Sequence, residues 1–180
     1  MKSTGMIRQI DDLGRVVIPK EIRRTMRLRD GDLLEILVNE GDEIVFKKYS
    51  PVSKIPAIMQ AYAEVLFQNT NRSILITDCD RIIAHAGFSV KKEDLSRLVN
   101  RSLEALIGYG VGFIAASDSE RLYPVDGLEH EAAVVCPIII KKTIVGYVIM
   151  LMSENGDMPT QTEFMLAQVA ASFLAGQMEA

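Results

Sequence analysis

Two runs of almost unbroken apolar residues, 132–140 and 143–152, are separated by nothing more than Lys141-Lys142. Val134, Val135, Ile138, Ile139, Ile144, Val145, Val148 and Ile149 are β-branched and suit strands. Neither run reaches membrane-spanning length, and the two lysines interrupt them. A strand that is apolar on both faces must be covered on both faces. The pair is therefore predicted as two central strands of a sheet with a layer on each side.

The flanking sequence supplies those layers. Pro56 opens a predicted helix that runs to about Asn69. Ile55, Met59, Tyr62 and Leu66 form one stripe on it, with Ile58, Ala61 and Val65 beside them. The band is wider than one sheet face needs, so core packing and a helical dimer contact both account for it. Residues 73–87 read as two strands around Asp78-Cys79-Asp80-Arg81. Between Phe88 and Gly108, Leu95, Leu98, Val99, Ser102, Leu103 and Leu106 recur at helical spacing. Residues 109–131 are polar and irregular. Thr160 and Glu163 form a capping box for a C-terminal helix, whose predicted buried face carries Leu166, Val169, Ala170, Phe173 and Leu174. Helix, two strands, helix, strands, helix is an α+β order with an antiparallel sheet.

The first fifty residues are a different unit. Asp12-Leu13-Gly14 is turn chemistry, with Gly14 free to take φ > 0. Val16-Val17-Ile18 suit a strand, and Pro19 ends it and fits a helix start. If residues 6–10 and 15–18 pair around this turn, Arg8 and Arg15 come close across it. The helix that follows buries Ile22 with Met26 and exposes a row of Lys20, Arg24 and Arg27, with Arg23 beside it. Gly31 is the expected cap. Residues 33–38 and 43–49 form a second hairpin. The boundary falls at Ser50-Pro51, which gives 1–50, a linker at 51–54, and 55–180. A unit of fifty residues with two open hairpins buries too little surface alone. It is expected to be an obligate homodimer with intertwined hairpins.

Charge separates the units further. The chain carries net −4, yet residues 2–29 hold eight Lys or Arg against Asp11, Asp12 and Glu21. A cationic tip on an acidic body is suited to phosphate, and only that tip is expected to meet nucleic acid.

Residues Lys2 to Gly5, Arg8, the run from Asp11 to Pro19, and Glu21-Ile22-Arg23-Arg24-Thr25 resemble the AbrB-type DNA-binding domain of bacterial transition-state regulators. With its second domain the chain resembles the sporulation regulators of that family. The resemblance implies a domain-swapped hairpin barrel (an AbrB/MazE-like dimer) and DNA contact by Arg8, Arg15, Arg23 and Arg24. Lys20 and Lys2 are lesser candidates. It also implies preference for flexible, AT-rich double-stranded DNA over a strict consensus. The order of elements in 55–180, together with residues 74–83 and Pro137-Ile138 through Ile144-Val145-Gly146, resembles a GAF domain, an antiparallel sheet flanked by helices. GAF domains bind small ligands or mediate dimers. The Asn-Lys-x-Phe-Asp-Glu motif of cyclic-nucleotide GAF domains does not occur here, so no ligand or cofactor carries over. Two dimerising surfaces on one chain point toward a tetramer.

Other chemistry is thinly represented. His85 and His130 stand alone, with no zinc-type spacing. The glycines of 108–112 lack a phosphate-loop pattern. Cys79 and Cys136 lie in apolar β-type segments and are expected to be buried free thiols. The competing reading is a GAF-fold thiol enzyme of the methionine-sulfoxide reductase type, dimerised by residues 1–50, which needs an exposed, low-pKa thiol. An antitoxin on the AbrB-like fold is disfavoured, because 55–180 is apolar and globular. With no apolar signal core at its start, the chain is expected to be cytoplasmic and nucleoid-associated, without catalytic residues, metal or membrane partner.

Overall fold

The computed structural model describes residues 5–87, 97–107, 110–117 and 121–179. Lys2, the helical spacing around Leu95 and part of the 108–112 glycine segment lie outside them. The chain divides into two compact units, Met1–Tyr49 and Ser50–Ala180.

The C-terminal unit is built on the predicted hairpin. Strands β3 (Ile74–Asp78), β4 (Ile82–Ala86), β5 (Phe113–Ile114), β6 (Ala132–Ile140) and β7 (Thr143–Leu151) form one antiparallel sheet in the order β4-β3-β7-β6-β5. Both faces are covered, as the composition of β6 and β7 requires. Ile74, Ile76, Val134, Cys136, Ile138, Val148 and Met150 point to one core, which is shared with helices α2 (Pro56–Thr70) and α4 (Gln161–Glu179). Leu75, Val135, Tyr147, Ile149 and Leu151 point to the other, closed by Leu103 and Ile107 of α3 (Ser102–Ile107) and by Leu122, Val125 and Leu128. The period of two along each strand divides the residues between the faces.

The α3 helix is shorter than the apolar spacing predicts. Leu98 and Val99 are extended and bridge Arg81 and Val125, because pairing satisfies their backbone groups as well as a helical turn would. The α4 helix starts where expected. The Glu163 amide donates to Thr160 Oγ1 at 3.2 Å, and the Thr160 amide donates back to Glu163 Oε2 at 2.6 Å. Its buried face differs, however. Ala167, Ala170, Ala171, Leu174 and Ala175 are buried, whereas Val169 and Phe173 are exposed. Alanines let the helix lie close on β6, and that contact sets the rotation. Of the two stripes on α2, Met59 and Leu66 face the core and Ile58 and Val65 face out. Tyr62 stacks on Phe173 with ring centroids 5.1 Å apart.

The β6–β7 turn carries a cost. Lys141 and Lys142 both have positive φ, 47° and 69°, and Ile140 pairs with Thr143 across them. A two-residue hairpin loop of this twist favours Asn-Gly, since Cβ atoms are strained there. Replacing Lys141 with Asn and Lys142 with Gly is expected to raise stability by about 1 kcal/mol, read as a higher urea midpoint with an unchanged slope.

The N-terminal unit contains α1 (Lys20–Thr25) and a hairpin of β1 (Leu34–Val38) and β2 (Ile44–Lys48), in register from Leu34↔Lys48 to Val38↔Ile44. Pro19 precedes α1 as its N-cap residue. Among the described residues no large apolar side chain of this unit is buried. Thirteen are exposed, including Ile7 at 88%, Val17 at 74%, Ile36 at 62% and Val38 at 75%.

Candidate nucleic-acid interface

The basic set occupies two elements. On α1, Lys20, Arg23 and Arg24 stand at i, i+3 and i+4, which places them on one helix face. All three are exposed. Arg23 makes an ion pair of 3.3 Å with the fully exposed Asp30. Such a pair contributes at most about 1 kcal/mol and yields readily to phosphate.

The helix ends sooner than the sequence predicts. Arg27 takes φ 52°, its N–H donates to Arg24 O at 3.3 Å, and Leu28 N–H donates to Arg23 O at 2.8 Å. This is a Schellman closure with arginine where glycine is favoured. Arg27 therefore leaves the Lys20–Arg24 row, and Gly31, with φ 91°, belongs to the following loop rather than the cap. That loop is tied down by Lys48, whose ammonium lies 3.2 Å from Asp32 and donates to Arg27 O at 3.3 Å.

The other element is the turn at residues 11–15. Asp11 N–H donates to Arg15 O at 3.0 Å, and Gly14, with φ 75°, donates its N–H to Asp11 O at 2.9 Å. Asp11 Oδ1 accepts from the Leu13 and Arg15 amides, and the Arg15 guanidinium bonds Asp11 Oδ2 at 2.8 Å. The Arg15 backbone and then its guanidinium hold the Asp11 carboxyl below its ordinary value. One carboxylate thus shapes the tip and orients Arg15, whose side chain remains 69% exposed. Arg8 is exposed and donates to Ile7 O at 3.0 Å.

The pairing of residues 6–10 with 15–18 stops at Asp11–Arg15, so Arg8 and Arg15 are not joined by a ladder. A two-stranded ribbon with both faces in water gains too little burial to zip alone. Lys20, Arg23 and Arg24 thus share one face, Arg15 belongs to the turn, and Arg8 lies on the segment before the turn, outside any strand.

The thiols are placed unlike a reactive pair. Cys136 is 1% exposed, and burial pushes its thiol up to about 12. Cys79 is half-buried, not buried as its apolar setting predicts, and its thiol donates to Ile144 O at 3.3 Å. Its place at the β3–β4 turn keeps it near the surface. Among the described residues no group of three or more His, Cys, Asp or Glu could hold a metal ion. No described helix is long and apolar enough to cross a membrane.

Residues 55–179 match the family described as stage V sporulation protein T C-terminal, transcription factor. Stage V sporulation protein T of Bacillus subtilis (strain 168) is 40% identical over 181 residues, 99% of each chain. The chain belongs to the stage V sporulation protein T family.

The N-terminal unit of this stage V sporulation protein T family member has its own relatives. Residues 7–54 match the MazE family, described as antidote-toxin recognition. The transition state regulatory protein AbrB of the same organism is 55% identical over 51 residues, 28% of this chain and 52% of AbrB. The C-terminal unit shares its fold with the GAF domain/HD domain protein from Geobacter sulfurreducens, at TM-score 0.52, 12% identity, 71% of this chain and 95% of that one. It also shares it with the type II free methionine-R-sulfoxide reductase from Thermoplasma acidophilum, at TM-score 0.52, 10% identity and the same coverage. At such identities only the fold is common. The expectation of a sporulation transcription regulator, with an AbrB-like DNA-binding domain and a GAF-like domain, is borne out by the family match.

Proposed function

We propose that two copies of this chain intertwine residues 1–50 and hold AT-rich duplex DNA on a shared surface of Arg8, Arg15, Arg23 and Arg24. Lys20 and Lys2 are lesser candidates for contact. The observation that carries this reading is the missing core of the N-terminal unit. Thirteen large apolar side chains lie exposed beside a cluster of arginines. Burying one such side chain is worth about 1.5–3 kcal/mol, so a second copy supplies the stability that one copy lacks.

The outward stripe of Ile58, Val65, Met165, Val169 and Phe173 on α2 and α4 supports pairing of dimers into a tetramer. The protein acts in the cytoplasm, on the nucleoid, without enzymatic activity. A small effector of the GAF-like unit would act by binding one arrangement of the DNA-binding units more tightly than another.

The test combines mass measurement on dilution with salt-titrated binding to an AT-rich duplex. Ile36→Asp, opposite Phe46 in the β1–β2 register, is expected to give a chain that neither dimerises through residues 1–50 nor binds DNA. For the unaltered chain, log K should fall against log salt with a slope of up to about −7 if eight guanidinium groups neutralise phosphates. A folded monomer with full DNA affinity would overturn the proposal.

A further inference from the structure

Of the four arginines proposed for the DNA surface, Arg15 is the one held by a carboxylate that is itself fixed. Asp11 Oδ1 accepts from the Leu13 amide at 3.1 Å and the Arg15 amide at 2.8 Å. Asp11 N–H donates to Arg15 O at 3.0 Å, so the two residues are joined through their backbones as well. The second oxygen, Oδ2, accepts from Arg15 Nε at 2.8 Å. The other arginines lack such support. Arg23 meets Asp30, whose fully exposed carboxylate makes no other bond among the described residues. Arg8 donates to the carbonyl of its neighbour Ile7. The Arg24 guanidinium has no partner among the described residues.

The point of attachment on Arg15 matters. Bonding at Nε occupies one edge of the guanidinium plane. It leaves Nη1 and Nη2, which have no partner among the described residues, as a fork with a set direction. A pair of N–H donors held this way matches the O6 and N7 acceptors of guanine in the major groove. A phosphate asks for less, since charge and reach suffice and a freely rotating side chain supplies both. Charge points the same way. Asp11 and Arg15 together are close to neutral, so the pair releases fewer counterions than an unpaired arginine does.

We propose that Asp11 is a positioning residue that makes Arg15 a reader of guanine edges. The 11–15 turn then supplies sequence selectivity, and Arg23 and Arg24 supply phosphate contact. The inference rests on the DNA-binding reading above and divides the work among its arginines. A fork oriented before binding has less freedom to lose when it docks. Its expected mark is guanine at fixed positions within an otherwise AT-rich site.

The test is selection by the full chain from a pool of randomised duplexes, with salt-titrated binding to selected and unselected DNA. The unaltered chain should enrich guanine at fixed positions. Replacing those guanines with 7-deazaguanine, which lacks N7, should weaken binding about tenfold or more. Asp11→Asn keeps an acceptor for the two turn amides but gives up the charge that holds Arg15. It is expected to lose the enrichment and to lower the ratio of selected to unselected affinity about tenfold or more. On unselected DNA it should bind no more weakly, with a slope steeper by up to about 2, because one released guanidinium per protomer reaches phosphate. A purely structural role for Asp11 would weaken binding to every duplex and flatten the slope. That result, unchanged enrichment by Asp11→Asn, or no guanine enrichment by the unaltered chain would overturn the proposal. Arg15→Ala run alongside separates the two ideas. If it binds and selects as the unaltered chain does, Arg15 does not belong to the DNA surface. If it loses the enrichment while Asp11→Asn keeps it, only the positioning role falls.

Discussion

Replacing Arg23 and Arg24 together with alanine is expected to weaken binding to AT-rich duplex DNA by about 100-fold or more at moderate salt. In the proposed dimer four guanidinium groups would be lost from the two α1 helices. Because the effect is mostly electrostatic, the salt slope should flatten by about 2 for each position, one contact from each protomer. Folding and assembly should survive. Neither side chain is buried, and the single ion pair lost, Arg23 with Asp30, is exposed. Circular dichroism and mass measurement of the double variant check that the loss is one of binding. Both single variants binding with unchanged affinity and slope would remove α1 from the interface. Lysine at either position should restore part of the slope and less of the affinity, because an ammonium cannot make the paired bonds of a guanidinium.

The largest expected effect on stability belongs to the C-terminal unit. Arg72 follows α2, is 5% exposed, and has its Nε bonded to the Glu163 carboxylate. Its Nη2 donates to the Asp157 and Met158 carbonyls at 3.0 and 2.9 Å. One guanidinium thus fastens the end of α2 to the first turn of α4. Arg72→Met would leave a largely buried carboxylate without its cation and two carbonyls without their donor. Breaking a buried pair from one side costs about 3–5 kcal/mol. Urea unfolding at neutral pH measures it, and a change under about 1 kcal/mol would show that the site relaxes freely.

The same pair makes an acid-sensitive joint. Burial pushes the Glu163 carboxyl up, but the hydrogen bond from Arg72, with those from Thr160, outweighs burial and holds it below its ordinary 4.5. A carboxyl lowered in the folded state adds stability that is complete above the unfolded value and is lost as pH falls through the folded one. The contribution is therefore present at neutral pH and disappears below about pH 4.5. Glu163→Gln should lower stability at pH 7 and flatten the acid limb of the stability curve. An acid limb as steep as that of the unaltered chain would assign the acid sensitivity to other groups.

Local signals carried most of what could be read beforehand. The Thr160–Glu163 box is a three-residue relation, and the backbone bonds it predicts are present. The Lys141-Lys142 turn follows from two adjacent runs that each need covering on both faces. Arg72 was not legible, because its partner lies 91 residues away and an arginine between a helix and a strand reads as surface. The face of α4 was misjudged because Val169 and Phe173 are more apolar than the alanines beside them. Close approach to β6 favours small side chains over hydrophobic ones. The end of α1 was misplaced because arginine seldom takes the left-handed region that Arg27 occupies.

What the sequence determined by itself is whatever depends on neighbours in the chain. It set the alternation that makes the central strands, the caps and turns, the concentration of arginine at one end, and the family likeness those residues carry. What only the tertiary structure decided depends on which distant surfaces meet. It paired Arg72 with Glu163 and Ser50 with Asp78, chose the faces of α2 and α4 that turn outward, and left thirteen large apolar side chains of residues 5–49 exposed. Periodicity reports that a side chain is apolar, but burial is a property of packing, and packing is fixed by residues that the local sequence does not contain.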